Sequence, residues 1–133
     1  MTLTATAPAE TLEASYQQAF PKSRALHERA LERFPNGVTH DARYMYPFPV
    51  YIDRASGSHK WTVDGQNIID YWMGHGSLLL GHSHPVIVEA ITAQAARGTH
   101  FGACHELEIE WADQVMRLVP SAETVRFVSS GTE

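Results

Sequence analysis

The sequence predicts an α/β protein: a helix and a small antiparallel strand meander, followed by the beginning of a larger α/β domain. Three observations carry this. An amphipathic stretch from about Pro21 is closed by Pro35-Asn36-Gly37. Short alternating segments then flank the hairpin dipeptide Asp64-Gly65, both of whose residues tolerate positive φ. After Gly74 the pattern changes to two helical periods and a short apolar run that feeds a Ser/Gly/Thr corner.

Taken in order, residues 1–8 read as a disordered lead within a flexible extension over 1–20. The first helix places Phe20, Leu26, Ala30, Leu31 and Phe34 on one side and Lys22, Glu28, Arg29 and Glu32 on the other. Val38 to Pro49 reads as loop, punctuated by Pro47 and Pro49. Three strands are expected: Val50–Asp53, His59–Thr62 after a turn at Ala55-Ser56-Gly57, and Asn67–Tyr71. Helix and meander together make a first domain portion over 21–73, and the beginning of a large domain occupies 74–133. Within that second portion, Gly81-His82-Ser83-His84-Pro85 is a tight loop whose proline suits the first position of a helix. That helix carries Ile87, Ala90, Ile91 and Ala95, and Gly98 closes it. Another helix runs from about Glu106 to Leu118, with Leu107, Trp111, Val115 and Leu118 facing one way, until Pro120. Thr124–Val128 reads as a buried strand. A single strand cannot satisfy its own backbone groups, so the expectation is a truncated protein, the front portion of a longer one.

Bulk properties bound the function. The 133 residues, 44% hydrophobic and 19% charged, suit one soluble domain. A net charge of −5 and only two lysines, Lys22 and Lys60, give no footprint for nucleic acid. No apolar run approaches membrane-spanning length, and the first ten residues lack the basic flank of a targeting peptide. The single cysteine, Cys104, fits a reducing cytoplasm. The expected setting is cytoplasmic, without nucleic acid or membrane as partner.

The chemistry-bearing residues are few. Ser129-Ser130-Gly131-Thr132 follows an apolar run and should open a helix, a corner where backbone N–H groups and the Thr132 hydroxyl can converge on a phosphate. The same composition also makes a plain strand-to-helix turn. Arg43 sits among Tyr44, Tyr46 and Phe48 and offers a bidentate fork for a carboxylate, or is an ordinary surface arginine. His75, His82 and His84 raise a metal site, but no Cys or acidic ligand stands at metal spacing, and a structural or cofactor-adjacent role fits better. His105-Glu106 lacks the second histidine of a zinc helix, Cys104 has no evident base partner, and Ser129 and Ser130 lack a Gly-x-Ser-x-Gly elbow.

The segments "RFPNGVTHDAR" (33–43), "GSHKWTVDGQNIIDYW" (57–72), "LLLGHSHPVIVEAI" (78–91), "RGTHFGACHELEIEWA" (97–112) and "LVPSAETVRFVSSGTE" (118–133) occur in this order. Together they resemble the class III aminotransferases, fold-type I enzymes dependent on pyridoxal 5'-phosphate, and most nearly the glutamate-1-semialdehyde 2,1-aminomutase group. The resemblance covers about Pro21 to Glu133. It implies the N-terminal part of a pyridoxal phosphate-dependent transferase fold. It also implies transfer of an amino group between an amino acid and a keto acid or aldehyde, and a homodimer when intact.

Carried over by position, Ser130, Gly131 and Thr132 correspond to the family's cradle for the cofactor phosphate, and Arg43 to an arginine for the substrate carboxylate. The 81–85 run corresponds to a structural bend into the large domain. Two departures are instructive. Gly74-His75-Gly76 stands where the aminomutases have Ser-Trp-Gly, and Thr39-His40-Asp41 where they have Asn-Ser-Pro. Both segments would line the substrate pocket, which makes His40 and His75 candidate substrate contacts. The Gly-His-Gly form resembles an aromatic amino-acid branch, so a true aminotransferase stands beside the mutase reading. The family's cofactor-bearing lysine, the acid at the ring nitrogen and the stacking aromatic follow an SGTE motif at a distance, so this chain is expected to hold no catalytic residue of its own. A different reading is that the short chain acts only as a binding or dimerisation module.

Overall fold

The structure, a computed structural model, describes residues 11–131. Its elements are α1 (Leu12–Ala19), α2 (Pro21–Leu31), β1 (Ile52–Ser56), β2 (His59–Thr62), β3 (Asn67–Ile69), α3 (Pro85–Ala95) and α4 (Glu106–Leu118), with single 3-10 turns at Pro35–Gly37 and Asp41–Arg43. The three strands form one antiparallel sheet in the order β1-β2-β3. The chain divides into two compact units, one reaching Val88 and the other beginning at Glu89.

In the first unit, α1 corrects the expected flexible extension over 1–20 within its described part. Thr11 caps it, its hydroxyl accepting from the Ala14 N–H at 3.2 Å, a bond whose removal costs about 1 kcal/mol in typical helices. Phe20 ends α1 and also serves as the N-cap position of α2, where Pro21 begins the new helix. The disordered lead expected over 1–8 lies outside the described residues.

The buried face of α2 includes the half-buried Leu26 and Ala30 of the expected apolar side, but its most buried residues are polar. Ser23 and His27 are buried, whereas Leu31 and Phe34 are exposed. The cause is a carboxylate supplied from the β2–β3 turn. Asp64 accepts from the Lys22 N–H (2.6 Å), the Ser23 N–H (3.1 Å) and the Ser23 hydroxyl (2.5 Å). Ser23 Oγ in turn accepts from the Tyr51 N–H at 3.1 Å. The turn of one element thus completes the orphan N–H groups at the start of another, where a negative charge also meets the positive end of the helix dipole. Beside this, Phe48 is the one buried large apolar side chain among the described residues. Its ring lies 5.1 Å from Tyr16 and 6.4 Å from His27, and the Tyr16 hydroxyl donates to the Phe48 carbonyl at 2.7 Å. A Cβ at Gly37, whose φ is +67°, would stand 2.5 Å from the His27 ring. Only glycine closes the helix there.

The meander is shifted from its expected bounds. β1 runs through Ala55 and Ser56, which pair with Lys60 and His59, so the turn falls at Gly57-Ser58. β3 stops at Ile69 because Asp70 turns inward to other partners. Gly57 and His82 form an antiparallel bridge, each N–H donating to the other's carbonyl at 2.9 Å. A Cβ on Gly81, at φ +86°, would press to 3.0 Å against the Gly57 backbone. This contact ties the 81–82 bend to the meander.

In the second unit, α4 begins at His105, whose Nδ1 accepts from the Leu107 N–H at 3.2 Å. Trp111 stacks on Phe127 with centroids 3.8 Å apart, and Phe101 stacks on His105 at 4.9 Å. Thr124–Val128 is not a strand: no other segment pairs with it among the described residues. An extended apolar run becomes a strand only when a neighbour takes its backbone bonds.

Candidate functional site

The polar centre of the first unit is a residue that the sequence did not single out. Asp70 is 5% exposed. His82 Nε2 lies 2.6 Å from its Oδ2, and Lys60 Nζ 3.1 Å and the Trp72 N–H 2.9 Å from Oδ1. The His82 hydrogen bond holds this carboxyl well below the usual carboxylate range; burial pushes the other way, and Lys60 and the Trp72 and Met73 N–H groups reinforce the lowering. At Asp64 burial also pushes up, yet the bonds from Ser23 and Lys22 outweigh it and the carboxyl is lowered.

Beyond Asp70 the chain enters four successive left-handed residues: Met73 (φ 48°), Gly74 (61°), His75 (61°) and Gly76 (83°). The left-handed region is rare for residues that carry a Cβ, and it costs Met73 and His75 about 1 kcal/mol each. This loop sets His75 with its ring 5.0 Å from Trp72 and 6.4 Å from His40. The structure therefore brings together two of the candidate substrate contacts and adds Trp72 beside them. His40 is itself fixed, its Nδ1 accepting from the Ala42 N–H at 3.1 Å. Arg43 closes the same turn, donating to the Thr39 hydroxyl at 2.8 Å, and is exposed. Thr39 thus aims the guanidinium, which retains further donors for a planar anion.

Ser130 and Gly131 are exposed on a bend in the second unit, and Thr132 lies outside the described residues. Apart from its two chain neighbours, no heavy atom comes within 4 Å of a Cβ built on Gly131, so the backbone at this corner leaves room for an anion such as a phosphate. A cleft of about 440 Å³ in the same unit lies instead between Gln94, the 98–103 loop, His105, Leu107 and Glu108, and neither Ser130 nor Gly131 lines it.

Of the histidines raised as metal ligands, His82 is bonded to Asp70 and His75 lies against the Trp72 and His40 rings, whereas the buried Nδ1 of His84 has no hydrogen-bond partner among the described residues. Among the described residues no three His, Cys, Asp or Glu side chains converge as a metal site would require. Lys60 is committed to Asp70, and Lys22 stands exposed on the first turn of α2. The Asp64 and Asp70 roles had one weak signal, an aspartate on each flank of a short strand, but their partners are remote in sequence.

The sequence pattern of the family described as Aminotransferase class-III matches residues 40–133. The chain is 48% identical over 119 residues to the glutamate-1-semialdehyde 2,1-aminomutase of Chloroflexus aurantiacus, covering 87% of this chain and 27% of that protein. It is 43% identical over 118 residues to the enzyme of the same name from Methanopyrus kandleri, covering 89% and 27%. Its fold is similar to a solved transaminase with pyridoxal phosphate bound, at a TM-score of 0.81 and 42% identity over 84% of this chain and 26% of that one. A β-phenylalanine aminotransferase from Variovorax paradoxus matches at a TM-score of 0.85 and 27% identity, covering 90% and 28%. The chain spans about a quarter of the length of the curated relatives it matches. The ordered match across residues 40–133 and the shared fold place the chain in the class III aminotransferase family.

Proposed function

We propose that this chain is the N-terminal portion of a pyridoxal phosphate-dependent aminotransferase that moves an amino group between an amino acid and a keto acid or aldehyde. The observation that carries the reading is the family match from residue 40 to residue 133, which includes the His40–Arg43 turn, the 72–76 loop and the Ser130-Gly131 corner. When bound, the cofactor supplies an electron sink for the carbanion left at the substrate Cα. The residues of this chain have simpler tasks. Ser130, Gly131 and Thr132 hold the cofactor phosphate through hydroxyl and backbone donors. Arg43 pairs with the substrate carboxylate, a geometry that its fork suits and that the Thr39 hydroxyl orients. His40 and His75 border the substrate, with the imidazole edges available as hydrogen-bond partners. Neither lysine of this chain suits the bearing of a cofactor, so that lysine belongs to another part of the intact protein. The intact enzyme works as a homodimer in the cytoplasm.

A mutase reading has its own support, since glutamate-1-semialdehyde aminomutases are the relatives at 43–48% identity. Against it stands Gly74-His75-Gly76, a change of size and polarity in the wall of the pocket. Purifying the intact protein with pyridoxal phosphate tests the shared reading: a yellow protein that bleaches on adding an amino donor is expected, and a colourless one without affinity for the cofactor overturns it. Turnover of an amino acid with a separate keto acid then favours the transferase. Isomerisation of glutamate-1-semialdehyde alone favours the mutase.

A further inference from the structure

Four consecutive left-handed residues need an external constraint. Inside the loop, the Gly76 N–H donates to the Trp72 carbonyl at 2.9 Å and the Leu78 N–H to the Met73 carbonyl at 3.0 Å. These bonds close the loop but do not orient its entry. Entry is set at Asp70, whose carboxylate receives the Trp72 N–H at 2.9 Å. The carboxylate is itself clamped, by Lys60 from β2 and by His82. His82 is anchored in turn by its two backbone bonds to Gly57. A buried acceptor with three donors around it has little freedom to rotate, and charge-assisted bonds of this kind are the strong ones.

We propose that Asp70 is a positioning residue: it fixes the entry to the Tyr71–Gly76 loop and thereby sets where Trp72 and His75 stand against an amino-acid substrate. This rests on the proposed function only for the identity of what the loop meets. The fixing of the loop stands on its own geometry. Trp72 and His75 touch each other at 5.0 Å, so a rotation at residues 70–72 displaces both rings together. Asp70 reaches the substrate through them and takes no part in the chemistry.

The test compares the intact enzyme with Asp70→Asn, which keeps the shape but loses the charge that holds Lys60 and His82. Two measurements are made. Chymotryptic cleavage after Tyr71 and Trp72, both exposed, is timed and mapped by mass spectrometry. It should accelerate about 10-fold at these bonds and little elsewhere, as expected when a charge-assisted bond is lost locally. Steady-state kinetics should show KM for the amino-acid substrate raised about 10-fold with kcat changed much less, and the cofactor's absorbance spectrum unaltered. Unchanged cleavage at Tyr71 and Trp72 overturns the proposal, whether or not the enzyme turns over. Faster cleavage with KM unmoved also overturns it, because the loop would then be held without consequence for substrate. If the unsubstituted enzyme binds no cofactor, the proposed function fails while the cleavage result still decides the role of Asp70 in the loop. Should Asp70→Asn not fold, His82→Gln removes the outer clamp alone, and a smaller acceleration of about 3-fold is expected. No acceleration there overturns the proposal equally.

Discussion

The two units of this chain are held together in different ways. Up to Val88, polar side chains reach across long stretches of sequence: Ser23 to Asp64, 41 residues apart, and Tyr16 to Phe48, 32 apart. From Glu89 onward the contacts span shorter stretches of sequence, such as the His105 cap on Leu107 and the Trp111–Phe127 stack. The helix there keeps its apolar side chains open, with Ile109 66% and Leu118 74% exposed. The difference teaches that the first unit owes its shape to a few buried acceptors, each with several donors. The second consists of well-formed helices whose apolar side chains are largely exposed in the described residues.

The comparison can be broken most forcibly at Phe48. Phe48→Ala in the intact protein should cost about 3 kcal/mol, read by urea unfolding or by loss of hydrogen-exchange protection in α1 and α2. Ser23→Ala leaves Asp64 short of a donor and Tyr51 short of an acceptor, and should cost about 2 kcal/mol by the same measure, with α2 amides losing protection first. Gly37→Ala meets the His27 ring and an unfavourable φ together, for about 1–2 kcal/mol. In the second unit Trp111→Ala should cost only about 1 kcal/mol, since the Phe127 stack is all it loses and the ring is already exposed. A loss at Trp111 as large as that at Phe48 would erase the contrast.

Acid provides a gentler probe. The carboxyls of Asp70 and Asp64 are lowered in the folded chain, so they contribute stability above the unfolded carboxylate pKa of about 4. That contribution fades as pH falls below this value through the folded pKa. Hydrogen exchange of amides in the first unit should therefore quicken below about pH 4 more than in the second, beyond the intrinsic pH dependence. Asp70→Asn should flatten that dependence.

Much of this was legible from residue order. Pro21, Pro85 and the bounds of β2 and α4 follow from local rules of capping and periodicity, and they stand where expected. The helix α1 is hidden in the sequence, because the Ala/Thr-rich lead obscures Thr11 as a cap and Leu12 and Tyr16 at helical spacing. The Thr124–Val128 run has strand composition, but pairing is a property of two segments and not one. Asp64 was read as a turn former, which it is. Its second task depends on a helix start 41 residues away, beyond any local pattern. The left-handed Met73 and His75 were equally hidden, because nothing in either residue type announces that backbone. For the site, residue types at positions 40, 43 and 75 were apparent, but Trp72 and the carboxylate beneath it emerged only from geometry.

Asp64 also links two elements energetically. Its carboxylate, carried on the hairpin turn, accepts the Lys22 and Ser23 N–H groups that open α2, so an intact hairpin lends stability to the helix start. Loosening the Val38–Pro49 segment, which lies within the 41 residues between Ser23 and Asp64, should weaken that support, seen as faster hydrogen exchange at the Lys22 and Ser23 amides.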